Sequence, residues 1–219
     1  SDVEVPNLLP ILTLRSSVLF PGAITPITVG RDKSMKLVRD VERSGGILGA
    51  ILQKEAEIDD PGADDIYRIG TAARILKVLE MPNGNLTVIL HGLEKIEVQQ
   101  IVTSEPYFTA SVVSLKDTAP DNNDMNFEAL VDSIREVALN IINVSPTMPK
   151  EASFAIRNID SKRGLINFIC SNLELEDAER QQLLEAPGLM ARARKLLDML
   201  IKQQQLAELK NEIQHKVKR

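Results

Sequence analysis

Hydrophobic and polar positions follow two different periods along this chain, and the change between them lies near residue 117. Before it the apolar runs are short and rich in β-branched residues. LPILTLR (9–15) and ITPITVG (24–30) alternate in the manner of half-buried strands, and each carries a proline, which restricts a strand to an edge or a bulge. ILGAILQ (47–53) is a continuous apolar run, as in a strand covered on both faces. TAARILKVLEM (71–81), the turn PNGN (82–85) and LTVILHGLEKIEV (86–98) predict a hairpin, with Asn83-Gly84 supplying positive φ angles. YFTASVVSL (107–115) predicts a last strand. One helix falls between Gly30 and Gly45, with Asp32 as its N-cap, Leu37, Val38 and Val41 as its apolar face and Gly45-Gly46 as its stop. Short strands, one helix and many Gly/Pro turns predict a small closed or half-closed barrel.

TAPDNND (118–124) is polar and turn-rich and reads as a linker. Beyond it Phe127, Leu130, Val131, Ile134, Ala138 and Ile141 recur at helical spacing. KEASFAIRNI, SKRGLINFICSNL and LEDAERQQLLEA follow as shorter helices, and Pro187-Gly188 opens a long one. The predicted class is α+β: a β-rich subdomain over 1–117, a helical subdomain over 118–188 and a long helix over 189–219. That last helix spans about 30 residues, or roughly 45 Å. Leu189, Ala193, Leu196 and Leu200 make one stripe on it; Leu206, Leu209, Ile213 and Val217 make a second, displaced around the axis. The first can dock on the helical subdomain. The second has no remaining chain to pack on, which points to self-association through it. With no Gly, Asn or Pro stop before Lys218-Arg219, and no Met at the start, the sequence reads as a fragment whose last helix is cut mid-course.

Composition narrows the function. The chain is 43% hydrophobic but only 3% aromatic, without Trp, so its core rests on Leu, Ile, Val and Met. A net charge of −5 argues against a nucleic-acid role, which requires clustered Lys and Arg. Basic residues gather only at Lys210, Lys216, Lys218 and Arg219, without aromatics beside them, and read as a helix face. The single Cys170 lies among apolar neighbours and reads as a buried thiol, in keeping with a reducing, cytoplasmic location. No apolar run reaches the length of about 20 residues that crosses a bilayer.

No engine is visible. None of the eleven glycines is followed by Lys, which excludes a phosphate loop, and GxGxxG, GxSxG and SxxK are absent. His91 and His215 lie far apart, where zinc sites and catalytic triads need clustered groups. The acidic run Glu57, Asp59, Asp60, Asp64 and Asp65 lacks the order of a calcium loop and reads as a solvated loop. No catalytic residue, no metal ligand and no cofactor site is expected in this chain.

Several stretches carry a resemblance. LPILTLRSSVLFPGAITPITVGRDKS, LQKEAEIDDPGADDIYRIGTAARILKV and MPNGNLTVILHGLEKIEV resemble, in order, the opening strands, the QK-to-P block and the turn-and-strand segment of the Lon protease N-terminal domain. RNIDSKRGL and LLDMLIKQQQLAELKNEIQHKVK resemble the helices that precede the ATPase module of that family. Lys95 stands where many members have Arg, a mild departure. The resemblance implies a PUA-like β-rich subdomain, a helical subdomain and a helix feeding a hexameric ATP-dependent serine protease. It implies that ATP, magnesium and a Ser-Lys dyad belong to downstream modules. It implies partners among unfolded or tagged proteins and homohexameric assembly, while run length and charge leave no membrane and no nucleic acid among the expected partners. A free-standing scaffold or ligand-binding protein of the same domain family is the alternative. The Phe-Pro-Gly turn keeps two readings. Either Phe20 plugs the barrel end, or Leu19 and Phe20 join Arg31, Asp32 and Lys33 in a surface that contacts substrate.

Overall fold

A computed structural model describes residues 4–217; Lys218 and Arg219 of the basic cluster lie outside the described residues. The chain divides into two compact units: Ser1–Lys116 with Glu176–Glu185, and Asp117–Leu175 with Ala186–Arg219.

In the first unit β1 (Leu8–Leu14), β2 (Ile24–Val29), β3 (Ile47–Leu52), β4 (Ile69–Glu80), β5 (Leu86–Thr103) and β6 (Thr109–Leu115) form one sheet in the order β2-β5-β4-β3-β1-β6. β5 also pairs with β6, so five strands close into a ring and β2 lies against β5 outside it. The 18-residue β5 permits this by giving β2 its first half, through His91, and β6 its second half, from Lys95, on the edge opposite β4. β1 and β3 run parallel, and α1 (Asp32–Ser44) lies on the crossover between them. Alternation along the strands feeds two apolar clusters. One joins Leu12, Leu14, Ile27, Val29, Val88 and Leu90 to Leu37, Val38 and Val41 of α1. The other gathers Leu9, Ile11, Ile51, Ile96, Ala110 and Val112. Each large aliphatic side chain buried there contributes about 1.5–3 kcal/mol relative to exposure. Among buried hydrophobic residues Met148 is the one methionine, so the interior is almost wholly Leu, Ile, Val and Ala.

Two local expectations are corrected. The N-cap of α1 is Arg31, in extended conformation and without a side-chain cap; Asp32 is already helical, where its charge still favours the helix N-terminus. In the β4–β5 turn only Gly84 has positive φ (88°). The loop is longer than a two-residue turn. Gly84 N–H donates to the Met81 carbonyl at 3.0 Å, and Asn83 Oδ1 accepts from Asn85 N–H at 3.0 Å.

The second unit packs α2 (Met125–Val144), α3 (Glu151–Asn158), α4 (Lys162–Asn172) and the long helix α6 (Leu189–Val217). α2 starts where Asp124 Oδ1 accepts the Phe127 N–H at 2.9 Å, and it buries Phe127, Val131, Ile134, Ala138 and Ile141. α6 buries Leu189, Ala193, Leu196 and Leu200, the stripe that spacing predicts. Its fully buried Arg192 escapes pattern reading. The guanidinium donates to Asn167 Oδ1 at 2.8 Å and meets the Asp117 carboxylate at 2.7 Å. The stretch 118–124 is no loose tether: the Thr118 carbonyl accepts the Leu189 N–H at 2.8 Å, and Lys162 Nζ donates to the Asn122 carbonyl. α5 (Asp177–Glu185), grouped by periodicity with the helical half, belongs to the barrel unit, where buried Gln181 donates to the Ile69 carbonyl at 2.9 Å.

Candidate binding cleft

The Phe-Pro-Gly stretch is a clamp. Leu19 and Phe20 are buried. Gly22 turns the chain at φ 81° and donates to the Gly92 carbonyl at 2.9 Å, while Gly92 N–H donates to the Ala23 carbonyl at 2.9 Å. Thr71 Oγ1 donates to the Leu19 carbonyl at 2.6 Å. A Cβ at position 92 would stand 2.3 Å from the Phe20 carbonyl oxygen, so only glycine allows the loop to lie this close. Substrate contact through Leu19 and Phe20 is therefore corrected. The backbone of the loop is stapled over β4 and β5, and both side chains point inward.

Arg31, Asp32 and Lys33, in contrast, line a cleft of about 210 Å³. Its floor is Ile11 and Leu37; Pro61, Tyr107 and Phe108 add apolar walls. Lys33 Nζ reaches Glu105 at 2.9 Å and Asp60 at 3.3 Å, tying the acidic loop to the β5–β6 turn. Its hydrogen bonds to Glu105 and Asp60 raise the pKa of this ammonium. The turn itself carries a cis Glu105-Pro106 bond. Arg31 donates to Thr13 Oγ1 at 3.2 Å and to Gln53 Oε1. Gln53, also buried, in turn donates to the carbonyls of Glu55 and Ile58. Burial and the neighbouring Arg15 push the Arg31 guanidinium below its ordinary value. Tyr107 donates to Asp40 Oδ2 at 2.8 Å, which holds the Asp40 carboxyl low, while burial and that carboxylate push the Tyr107 hydroxyl up.

The acidic run is divided among separate tasks. Asp59 pairs with Arg15 at 3.1 Å, Asp60 with Lys33, and Asp65 accepts the Gly62 N–H at 2.7 Å. Among the described residues no cluster of His, Cys, Asp or Glu is arranged to hold a metal ion. His91 sits on β5 opposite Ile24, His215 is exposed on α6, and Cys170 is buried. The cleft thus offers apolar contact rimmed by charge, which suits binding. Sequence reading missed Gln53, Glu105, Tyr107 and Phe108. Their one signal was the chain's single pair of adjacent aromatics beside a proline.

In the helical unit Leu206, Leu209, Ile213 and Val217 are 57%, 52%, 54% and 80% exposed, so this stripe is left largely uncovered by the described residues. No helix of the described residues is long and apolar enough to cross a membrane.

A family model described as the ATP-dependent protease La (LON) substrate-binding domain matches residues 8–202. The chain is 50% identical over 218 residues to the Lon protease of Flavobacterium johnsoniae, covering 100% of this chain and 27% of that protein. It is 39% identical over 213 residues to the Lon protease of Parabacteroides distasonis, covering 97% and 26%. It therefore spans about a quarter of the length of the curated relatives it matches. Among solved structures, it is similar to the N-terminal domain of a Mycobacterium avium complex Lon protease, with TM-score 0.71, 18% identity and 88% and 97% of the two chains covered. A Lon N-terminal domain protein from Xanthomonas campestris gives TM-score 0.60 at 20% identity, with 89% and 97% covered.

Proposed function

The chain belongs to the Lon substrate-binding domain family, and we propose on that premise that it is the non-catalytic substrate-recognition and assembly module of a Lon protease. The observation that carries this reading is the family match over residues 8–202 of a chain equal to about a quarter of its relatives' length. The substrates in this reading are misfolded or tagged polypeptides. They meet the cleft walled by Tyr107, Phe108 and Pro61 and rimmed by Arg31, Asp32 and Lys33. ATP with magnesium, and cleavage by a Ser-Lys dyad, belong to the remaining length of the protease. The compartment is the cytoplasm and the assembly a homohexamer, with weak single-site binding raised by avidity. The stripe Leu206, Leu209, Ile213 and Val217 serves that assembly. No observation favours the alternative of a free-standing scaffold without a protease.

The test is saturable binding of a reduced, carboxymethylated protein to the 219-residue chain, measured by anisotropy, beside the Phe108→Ser variant. Weaker binding by the variant is expected at a temperature where circular dichroism shows it folded, since Phe108 also packs on the Leu9 and Ile11 cluster and its loss lowers the melting temperature. Absence of binding by the wild type refutes the recognition role.

A further inference from the structure

A second cleft in the barrel unit, of about 390 Å³, lies between the C-terminal ends of β1 and β2. β1 pairs with β3 through Leu14 on one side; on the other its register with β6 ends at Pro10 and its last backbone bond there is from Ile11 N–H to the Phe108 carbonyl at 2.8 Å. Among the described residues β2 has β5 as its one neighbour. The cleft is lined by Leu12–Ser16 and by Ile27–Arg31, so two strand edges without partners face it. Such edges present backbone N–H and C=O groups to an added extended segment.

The chemistry at the end of this cleft is specific. Arg15 and Arg31 line it, and no carboxylate does. Arg31 makes no ion pair with a carboxylate among the described residues, and two of its five donors are used, on Thr13 and Gln53. Arg15 is held from outside by exposed Asp59. The N-terminus of α1, which has no side-chain cap, lies here, with its first amides open and the positive end of the helix dipole. Ser34 gives an independent sign. It is nine-tenths buried, lines the cleft, and its hydroxyl has no hydrogen-bond partner among the described residues. Lining the cleft with no protein partner, this hydroxyl is free to donate to an acceptor bound there.

We propose that this cleft receives the C-terminal carboxylate of an extended polypeptide, held by Arg31, Ser34 and the N-terminus of α1, with the last residues of that polypeptide laid along the open edges of β1 and β2. A guanidinium fork matches a carboxylate, and polypeptide is the occupant that also uses the two strand edges. Pro26 of β2 removes one donor from its strand, so the added segment is short and its terminus lies toward Val29 and Gly30. The inference rests on the recognition reading above and names one group that is recognised.

The experiment uses the 219-residue chain and one labelled, apolar octapeptide made with a free C-terminal carboxylate and as the amide, read by anisotropy. The free acid is expected to bind at least tenfold more tightly than the amide. That advantage should shrink to less than threefold in Arg31→Gln and fall in both Ser34→Ala and Arg15→Gln, and inorganic phosphate should displace the acid. If Arg31→Gln fails to fold, the Ser34→Ala and Arg15→Gln variants carry the test. Equal affinities for acid and amide overturn the proposal, as does an advantage that survives all three variants. Binding of phosphate without any advantage of acid over amide assigns the cleft to free oxyanions and also overturns it. The reduced, carboxymethylated protein serves as a separate arm. If it still binds while acid and amide are equal, recognition stands and the carboxylate site falls.

Discussion

Removing the Asp117 carboxylate should cost the helical unit more than any surface charge in the molecule. Arg192 is fully buried and the Asp117 side chain is 7% exposed, so water cannot replace either partner. Breaking a buried pair from one side leaves an uncompensated charge, at about 3–5 kcal/mol. After Asp117→Ala the guanidinium keeps its hydrogen bond to Asn167 Oδ1 but loses its carboxylate, and the cost should fall in that range. With a urea slope of about 2 kcal/mol per molar, the unfolding midpoint drops by about 1.5–2.5 M. Circular dichroism at the helix minimum reads the transition, because α2, α3, α4 and α6 belong to this unit. Both tyrosines, Tyr67 and Tyr107, lie in the other unit, so their fluorescence reports the barrel separately. The double variant Asp117→Leu/Arg192→Met should recover most of the loss, since apolar residues of similar size replace buried pairs with little cost. A midpoint shift below about 0.5 M for Asp117→Ala, or a double variant no better than the single, would refute the reasoning.

Gly92→Ala should lower barrel stability by about 1–3 kcal/mol or more, because the added methyl meets the Phe20 carbonyl; chemical denaturation followed by tyrosine emission measures it. Phe20→Ala should cost about 3–5 kcal/mol, as for any fully buried aromatic, and the same assay applies. Asp40 has its folded pKa depressed by Tyr107, so the stability it adds is present above its unfolded pKa and lost as pH falls through the folded one. Tyr107→Phe should move the Asp40 carboxyl titration, read by carbon NMR, back upward and weaken that acid-side dependence. Leu209→Glu should reduce self-association in sedimentation while leaving the dilute melting temperature unchanged; a large loss of melting temperature with association intact would show the stripe packed within the protomer.

Where one periodicity governs a segment, the sequence was legible. The stripe Leu189, Ala193, Leu196, Leu200 is buried as spacing predicts, and the strand runs all fall in the sheet. What escaped is decided by long-range geometry. Nothing local in Leu19-Phe20 says that Gly92 and Thr71 will hold that backbone from 50 or more residues away. Asp32 looks like a cap because Asp commonly is one, yet the chain enters the helix a residue earlier, where Arg31 turns down to Gln53. Arg192 resembles any solvent-facing arginine of a helix until Asp117 and Asn167 are brought to it. For the binding cleft, Arg31, Asp32 and Lys33 were visible as a charged helix start; the aromatic wall across from them was not.

The barrel unit is not continuous in sequence, since α5 returns to it after the segment 117–175. During synthesis the last strand, β6, is finished at Leu115, but Gln181 and the rest of α5 emerge about 70 residues later. At about 5–20 residues per second this is a delay of about 3–14 s. Through that interval the Ile69 carbonyl lacks its donor. A nascent chain whose residue 116 has just left the ribosomal tunnel should therefore hold a nearly complete barrel that is still susceptible to chaperones and proteases, and maturation should coincide with the exit of residue 185.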